Sequence, residues 1–330
     1  MERKKVVIIG SSFAGLSCAK ALADSEFEVL ILEKDNVFGI KTCASGVKDQ
    51  DLAYITQNEV NFPFEPVYLC TDTEKIQMPW GRGMISSIVR SEVLTNWAKK
   101  LADVPNIKIR LNSKVSEIKS NTVNIVDGEA IEFDYLIGAD GSNSIVRRFL
   151  NLPQTKYLPA VQYIIPEKII SHFEIYADTE LFDKGYSWIF PNRDFTSVGA
   201  CVMADSPNAR HLRGNLDAWL KKMKIDISRA KYEGFLINYD FQGYKFDNIY
   251  LAGDAGGFAN GLTGKGIYGA ALSGEVIAED ILGRKDHQNS LQLWMKEKAE
   301  DEAELKLDGN FVLRKIQKIK AYMNSNSSNA

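Results

Sequence analysis

The run Val6-Val7-Ile8-Ile9 is β-branched and apolar without a break, the pattern of a strand covered on both faces of a parallel sheet. Gly10 follows it, and residues 14–23 continue at helical spacing. Val29-Leu30-Ile31-Leu32 predicts the next strand of the same kind, ending at Glu33. The spacing then predicts a short helix over 49–58, paired strands over 66–80 around Thr71-Asp72-Thr73-Glu74, and a helix over 91–102. Short alternating segments at 108–111, 115–118 and 122–126 predict a meander with Asp127-Gly128 as its turn, and residues 133–137 predict another buried strand. From about 157 to 239 the pattern changes to broken strand-like runs, such as Val161-Gln162-Tyr163-Ile164-Ile165 and Phe173-Glu174-Ile175-Tyr176, with one helix near 212–224. Ile249-Tyr250-Leu251-Ala252 restores the buried parallel pattern. The order predicts an α/β protein. Its Rossmann-like domain comprises 1–65, 88–153 and 246–286, an inserted and mainly antiparallel sheet domain comprises 66–87 and 154–245, and C-terminal helices with a polar tail occupy 287–330.

A chain of 330 residues, 45% hydrophobic, buries a large core and has room for two modest domains. Its net charge of −3 argues against nucleic acid as a partner, since phosphate binding is driven by clustered positive charge. Cys18, Cys43, Cys70 and Cys201 lack metal-ligand spacing, and His172, His211 and His287 sit beside none of them, so no metal is expected. No stretch reaches the apolar length of a membrane span, and the N-terminal run is too short for a signal peptide. The expected compartment is the cytosol, with reduced thiols.

Three glycine-centred motifs each follow an apolar run: Gly10-Ser11-Ser12-Phe13-Ala14-Gly15, Gly138-Ala139-Asp140-Gly141 and Gly253-Asp254-Ala255-Gly256. In the first, Gly10 suits a tight turn, and Gly15 suits close helix–strand packing with free N–H groups facing a pyrophosphate. Ser12 stands in place of the middle glycine. Such a turn also occurs as a purely structural feature, but Glu33 lies about where a ribose-binding acid is expected. Together the three motifs point to one adenine dinucleotide held by distant segments, and so to a bound flavin.

The middle motif, continued by Ser142-Asn143-Ser144 and Val146-Arg147-Arg148, resembles that of flavoprotein hydroxylases and their relatives, and the third resembles their ribityl-binding strand end. Gly185-Tyr186-Ser187-Trp188-Ile189-Phe190-Pro191 resembles the Tyr-x-Trp-x-Phe-Pro signature of the geranylgeranyl reductase family, and Lys41-Thr42-Cys43-Ala44-Ser45-Gly46-Val47 its cysteine-containing loop. Gly257 to Ile267 is similar to its glycine-rich stretch, with Gly261 and Lys265 where many relatives have proline and glutamate, and Ser45 where a second glycine is common. The resemblance runs to about Asp280. It implies FAD held by Gly10, Ser12, Phe13, Ala14, Gly15, Glu33, Lys34, Cys43, Ala44, Arg90, Val115, Asp140, Gly141, Gly253, Asp254, Gly264, Lys265, Gly266 and Ile267, with Asp254 on the ribityl chain. It also implies a pocket of Tyr186, Trp188, Phe190 and Pro191 for an isoprenoid or prenyl lipid.

The chemistry expected is hydride transfer from reduced flavin to a prenyl carbon–carbon double bond. Cys43 or Tyr186 is the candidate catalytic proton donor, with water the alternative; Cys43 also reads as a steric element or an inert small residue. The three aromatics alternate along one strand, which suits a pocket wall or plain core. Two other readings stand beside this one: an FAD-dependent monooxygenase or halogenase, and a flavin electron-transfer protein. No second nucleotide unit is evident, so the electron donor is NAD(P)H binding transiently or a redox partner such as ferredoxin. Residues 305–323 predict a basic amphipathic helix that packs on the protein or docks on an anionic membrane, and residues 324–330 a disordered polar tail.

Overall fold

The computed structural model describes residues 3–78, 84–126 and 128–327. Residues 79–83 and Asp127, expected at the end of the paired strands and in the meander turn, lie outside the described residues, as do 328–330 of the tail. Contacts divide the chain into two units. The first comprises the chain up to Lys41, Arg90–Tyr157 and Ile237–Glu302; the second comprises Thr42–Val89, Leu158–Leu236 and the chain from Ala303 onward. Residues 42–65 go with the second unit because Gly46–Val47 and Val60–Cys70 pair with Met84–Ile88. Residues 287–302 go with the first because the helix Gln288–Ala303 packs Trp294 edge-on to Tyr268.

Among its described residues the first unit has a six-stranded sheet in the order Lys245–Phe246, Ile249–Leu251, Tyr135–Gly138, Lys5–Ile9, Glu28–Leu32, Ile107–Arg110. All neighbours run parallel except the first pair. Strand alternation sends Val7, Ile9, Leu30 and Leu32 to one face, where Val115, Val123, Ile125 and Phe133 cover them. That cover is a three-stranded meander, Val115–Lys119, Thr122–Ile125 and Ala130–Glu132. The segment Ile107–Arg110 departs from expectation: it extends the parallel sheet beside Glu28–Leu32 and takes no part in the meander. Its short alternating pattern suits either edge, and pairing with Val29 and Ile31 decided between them.

On the opposite face lie the helices Phe13–Ala21 and Ile267–Leu282. Small residues set their approach, since a Cβ on Gly274 would stand 2.2 Å from the Ala14 carbonyl oxygen. Among the described residues no helix is long and apolar enough to cross a membrane.

Among its described residues the second unit is built on a nine-stranded sheet. Its centre runs Tyr157–Ile165, Thr196–Cys201, Tyr186–Pro191, Phe173–Tyr176, Val60–Cys70, and the helix Leu212–Lys222 covers one face through Leu216 and Trp219 against Ile189 and Val198. Residues 49–58 form two short 3-10 turns, Asp49–Ala53 and Gln57–Glu59, in place of one helix. The Asp51 carboxylate accepts from the Lys48 N–H at 2.7 Å and Glu59 from the Thr56 N–H at 2.9 Å. Such local side-chain bonds compete with helix propagation. The C-terminal helix spans Phe311–Ser327, so 324–327 continue the helix expected to end before them. Its Phe311, Val312 and Ile316 are buried.

Candidate functional site

The first glycine turn leaves no room for side chains. A Cβ on Gly10 would lie 2.4 Å from the Ala139 carbonyl oxygen, and one on Gly15 would lie 2.0 Å from that of Gly10. Gly10 also has φ +102°, a conformation L residues rarely adopt. The helix Phe13–Ala21 begins with no side-chain cap and no acid in its first turn, so its first N–H groups lack intrahelical partners. The Ser12 hydroxyl, the natural cap, instead accepts from the Arg90 guanidinium. That guanidinium lies 4.9 Å from the Phe13 ring centroid, and its buried Nε has no partner among the described residues. Glu33 turns its carboxylate onto the same loop, accepting from the Ser11 N–H at 2.9 Å and hydroxyl at 2.6 Å. An uncapped helix start, a buried orphan guanidinium N–H and a carboxylate at the strand end suit the pyrophosphate and ribose of a dinucleotide. Lys34 is exposed, and Val115 places its side chain in the apolar cluster under the sheet.

The second and third motifs are held together by Arg147, from the continuation of the middle motif, and by Asn238, which the sequence did not single out. Arg147 donates to the Ala255 carbonyl at 3.2 Å and the Asp240 carbonyl at 2.9 Å, and burial pulls its pKa down against the pull of the Asp240 carboxylate. Asn238 donates to the Asp254 carbonyl at 2.7 Å. Asp140 accepts from the Ile145 N–H at 2.6 Å; burial, outweighing its hydrogen bonds, pushes its carboxyl above the usual range, and its Oδ1 has no partner among the described residues. Gly141 has φ +78° with open space beside it.

Asp254 is 9% exposed and receives Lys41 Nζ at 2.5 Å and the Ser142 hydroxyl at 3.1 Å. Gly266 caps the helix Ile267–Leu282, and a Cβ there would reach within 3.6 Å of Asp254 Oδ1. Gly253 donates its N–H to Ser273 of that helix at 2.9 Å. The carboxylate, the glycine turn 264–266, Ile267 and a helix start thus converge. Lys265 turns away to Glu297 at 3.1 Å. Pairing between Lys41 and Asp254 spans so much chain that no local pattern announces it.

In the second unit, Tyr186, Trp188 and Phe190 share the sheet face opposite the helix Leu212–Lys222, at 8%, 4% and 9% exposure. Their ring centroids follow one another at 6.1 and 6.3 Å. Trp188 Nε1 donates to Ser197 Oγ, which donates to Gln162 Oε1, both at 2.9 Å, and Gln162 Nε2 donates to the Cys43 carbonyl at 3.3 Å. The Cys43 loop and the aromatic strand are therefore linked through Gln162 and Ser197. Cys43 Sγ accepts from the Ser45 N–H at 3.3 Å, Ala44 is half-buried, and a Cβ on Gly46 would touch the Phe190 ring at 3.1 Å. The Pro191 carbonyl accepts from Ser87 at 2.9 Å. Burial, reinforced by the neighbouring Cys201 thiol, pushes the Tyr186 hydroxyl well above its ordinary pKa.

A family model described as pyridine nucleotide-disulphide oxidoreductase matches residues 4–172, slightly more than half of the chain. The chain belongs to this family. It is an FAD-dependent oxidoreductase. Among similar proteins, an uncharacterized protein of Methanosarcina barkeri is 28% identical across 85% of this chain and 75% of its own. The chloroplastic geranylgeranyl diphosphate reductase of Nicotiana tabacum is 25% identical across 84% of this chain, which spans 66% of that enzyme's length. Digeranylgeranylglycerophospholipid reductase 1 of Methanosphaera stadtmanae is 25% identical across 85% and 76%. The fold is shared with a geranylgeranyl bacteriochlorophyll reductase-like protein from Thermoplasma acidophilum, with TM-score 0.73 and 18% identity across 89% of this chain and 84% of that one. It is also shared with a probable FAD-dependent monooxygenase from Pseudomonas aeruginosa, with TM-score 0.67 and 16% identity across 92% and 93%.

Proposed function

We propose that the protein saturates carbon–carbon double bonds of a prenyl chain, or of a lipid carrying one, FAD when bound supplying the hydride. The observation that carries the reading is alignment across most of the chain with relatives named for geranylgeranyl and digeranylgeranylglycerophospholipid reduction. An apolar face of three aligned aromatics supports it, because an isolated alkene accepts hydride only when held in place and screened from water.

In this reading the N–H groups at the start of the helix Phe13–Ala21 and the Arg90 guanidinium take the pyrophosphate, Glu33 the ribose and Asp254 the ribityl hydroxyls. The start of the helix Ile267–Leu282 then favours the negative charge that accumulates on reduction. Tyr186 is the poorer proton donor, since a hydroxyl held well above its ordinary pKa gives up its proton reluctantly. Cys43 or water fills that role. The C-terminal helix meets an anionic membrane through its last turns, where Tyr322 and Met323 are 64% and 58% exposed.

Incubating chemically reduced protein with prenyl diphosphates and with prenylated glycerophospholipids tests the proposal by mass spectrometry. A two-hydrogen mass gain is expected in one class, and no gain in either overturns it. Substrate-dependent oxygen uptake without hydrogen gain would point to the monooxygenase chemistry of the structural neighbour. Following flavin reduction separately with NADPH and with reduced ferredoxin identifies the donor.

A further inference from the structure

The helix Gln288–Ala303 carries no residue of the three glycine motifs, yet one of its faces is spent on the glycine-rich loop that leads into Gly266. Trp294, Glu297, Lys298, Asp301 and Glu302 follow the i, i+3, i+4, i+7, i+8 spacing of a single helix face. Trp294 Nε1 donates to the Phe258 carbonyl at 3.1 Å. Glu297 receives Lys265 Nζ at 3.1 Å, Asp301 receives Asn260 Nδ2 at 2.8 Å, and Glu302 receives the Gly261 N–H at 3.0 Å.

Asn260 is the hub of the loop. It is fully buried, and its Oδ1 accepts the N–H groups of Leu262 and Thr263, both at 3.0 Å. Its own N–H goes to the Lys265 carbonyl at 2.8 Å, and its carbonyl accepts from Gly264 at 2.9 Å. The helix therefore grips the one residue around which the loop closes.

Beneath this lies Lys298, 3% exposed, which donates to Glu302 and to the Tyr239 carbonyl at 2.8 Å. Tyr239 in turn packs its ring where a side chain on Gly261 would be, since a Cβ there would stand 2.5 Å from it. Burial pulls the Lys298 pKa down, with Glu302 opposing. A buried ion pair adds little net stability over an apolar pair of the same volume, so stability alone gives it weak reason to exist. Its directional bonds fix position.

We infer that this helix is a positioning brace for the cofactor site: the Lys298–Glu302 pair and Asp301 hold the loop 258–266, and through Gly266 they set where the helix start lies beside Asp254. The inference rests on the reading of that helix start as part of the flavin site. Lys298, Asp301 and Glu302 are positioning residues and touch no cofactor themselves.

The test uses the full-length protein in three forms: wild type, Glu302→Gln, and the double variant Lys298→Met with Glu302→Leu. The single variant strands a buried ammonium group and is expected to lose stability. The double variant removes both charges, so its unfolding temperature without cofactor should stay close to wild type. In both variants FAD affinity should fall about tenfold, the equivalent of one charge-assisted hydrogen bond, and the flavin midpoint potential should fall as the helix start loosens. Amide hydrogen exchange of residues 259–266, followed without FAD, should quicken in both. A folded double variant with wild-type exchange in that loop overturns the brace, and so does one with wild-type FAD affinity and potential. A wild-type protein that fails to bind FAD defeats the cofactor reading instead, and the exchange measurement still decides the brace.

Discussion

At the level of single residues, Gly15 is the least forgiving position of the dinucleotide turn. A Cβ placed there meets the Gly10 carbonyl at 2.0 Å and the Ile8 side chain at 3.2 Å. The first neighbour is backbone, pinned by the Gly10 N–H bond to the Leu32 carbonyl, and cannot swing aside. Gly15→Ala should cost about 1–3 kcal/mol through overpacking. Calorimetry should show the lowered melting temperature, and FAD content should fall with it, because the helix start is displaced from the strand. A variant that melts and binds as wild type does would mean that the turn relaxes freely. Sequence reading found Gly15 for the correct reason, since close helix–strand packing is a local demand of the turn. It missed Ser197 and Gln162, whose polar side chains look unremarkable along the strand until the fold sets them between Trp188 and Cys43.

At the level of elements, the link between the helices Ile267–Leu282 and Gln288–Ala303 carries a titratable fastening. His287 bonds Glu279 through its ring Nδ1 and through its N–H at 3.0 Å, and Glu275 stands 3.6 Å from its other nitrogen. The bond to Glu279, together with the charges of Glu275 and Asp286, outweighs burial and raises its pKa above 6.5. A raised folded pKa gives stability that is fully present below the unfolded value of 6.5 and is lost as pH rises through the folded value. The melting-temperature gap between wild type and His287→Ala should therefore be widest near about pH 6 and narrow towards about pH 9. A gap independent of pH would show the imidazolium to be immaterial. Elements were legible where one pattern had one outcome, as with the strand ending at Leu32. They were not where a pattern served two ends: Ile107–Arg110 suits a parallel edge as well as a meander, and residues 49–58 folded into 3-10 turns because Asp51 and Glu59 bond their own backbone.

For the molecule as a whole, the apolar residues of the C-terminal helix fall into two groups. Phe311 packs edge-on to Tyr186 with ring centroids 5.6 Å apart, and Val312 and Ile316 are buried beside it, so the first turns belong to the second unit's core. Only the exposed end is left for a membrane, and Lys318 and Lys320 lie next to it. Replacing Tyr322 and Met323 with serine should weaken sedimentation with anionic vesicles by about tenfold. Unchanged sedimentation would remove membrane contact from the proposal.

What the sequence determined by itself was the first glycine turn, the two apolar strands that frame it and the acid at the end of the second. All three depend on residues close in the chain, where φ/ψ limits and side-chain period act directly. The aromatic strand was legible for the same reason. The partners were decided only by tertiary structure. Gly261 and Lys265 read as departures from a motif, yet Glu302 takes the N–H that glycine supplies and Glu297 takes the lysine, both from a helix packed against the loop. Lys41 reaches Asp254 across most of the chain. Such pairs answer to distance in space, which no periodicity along the chain encodes.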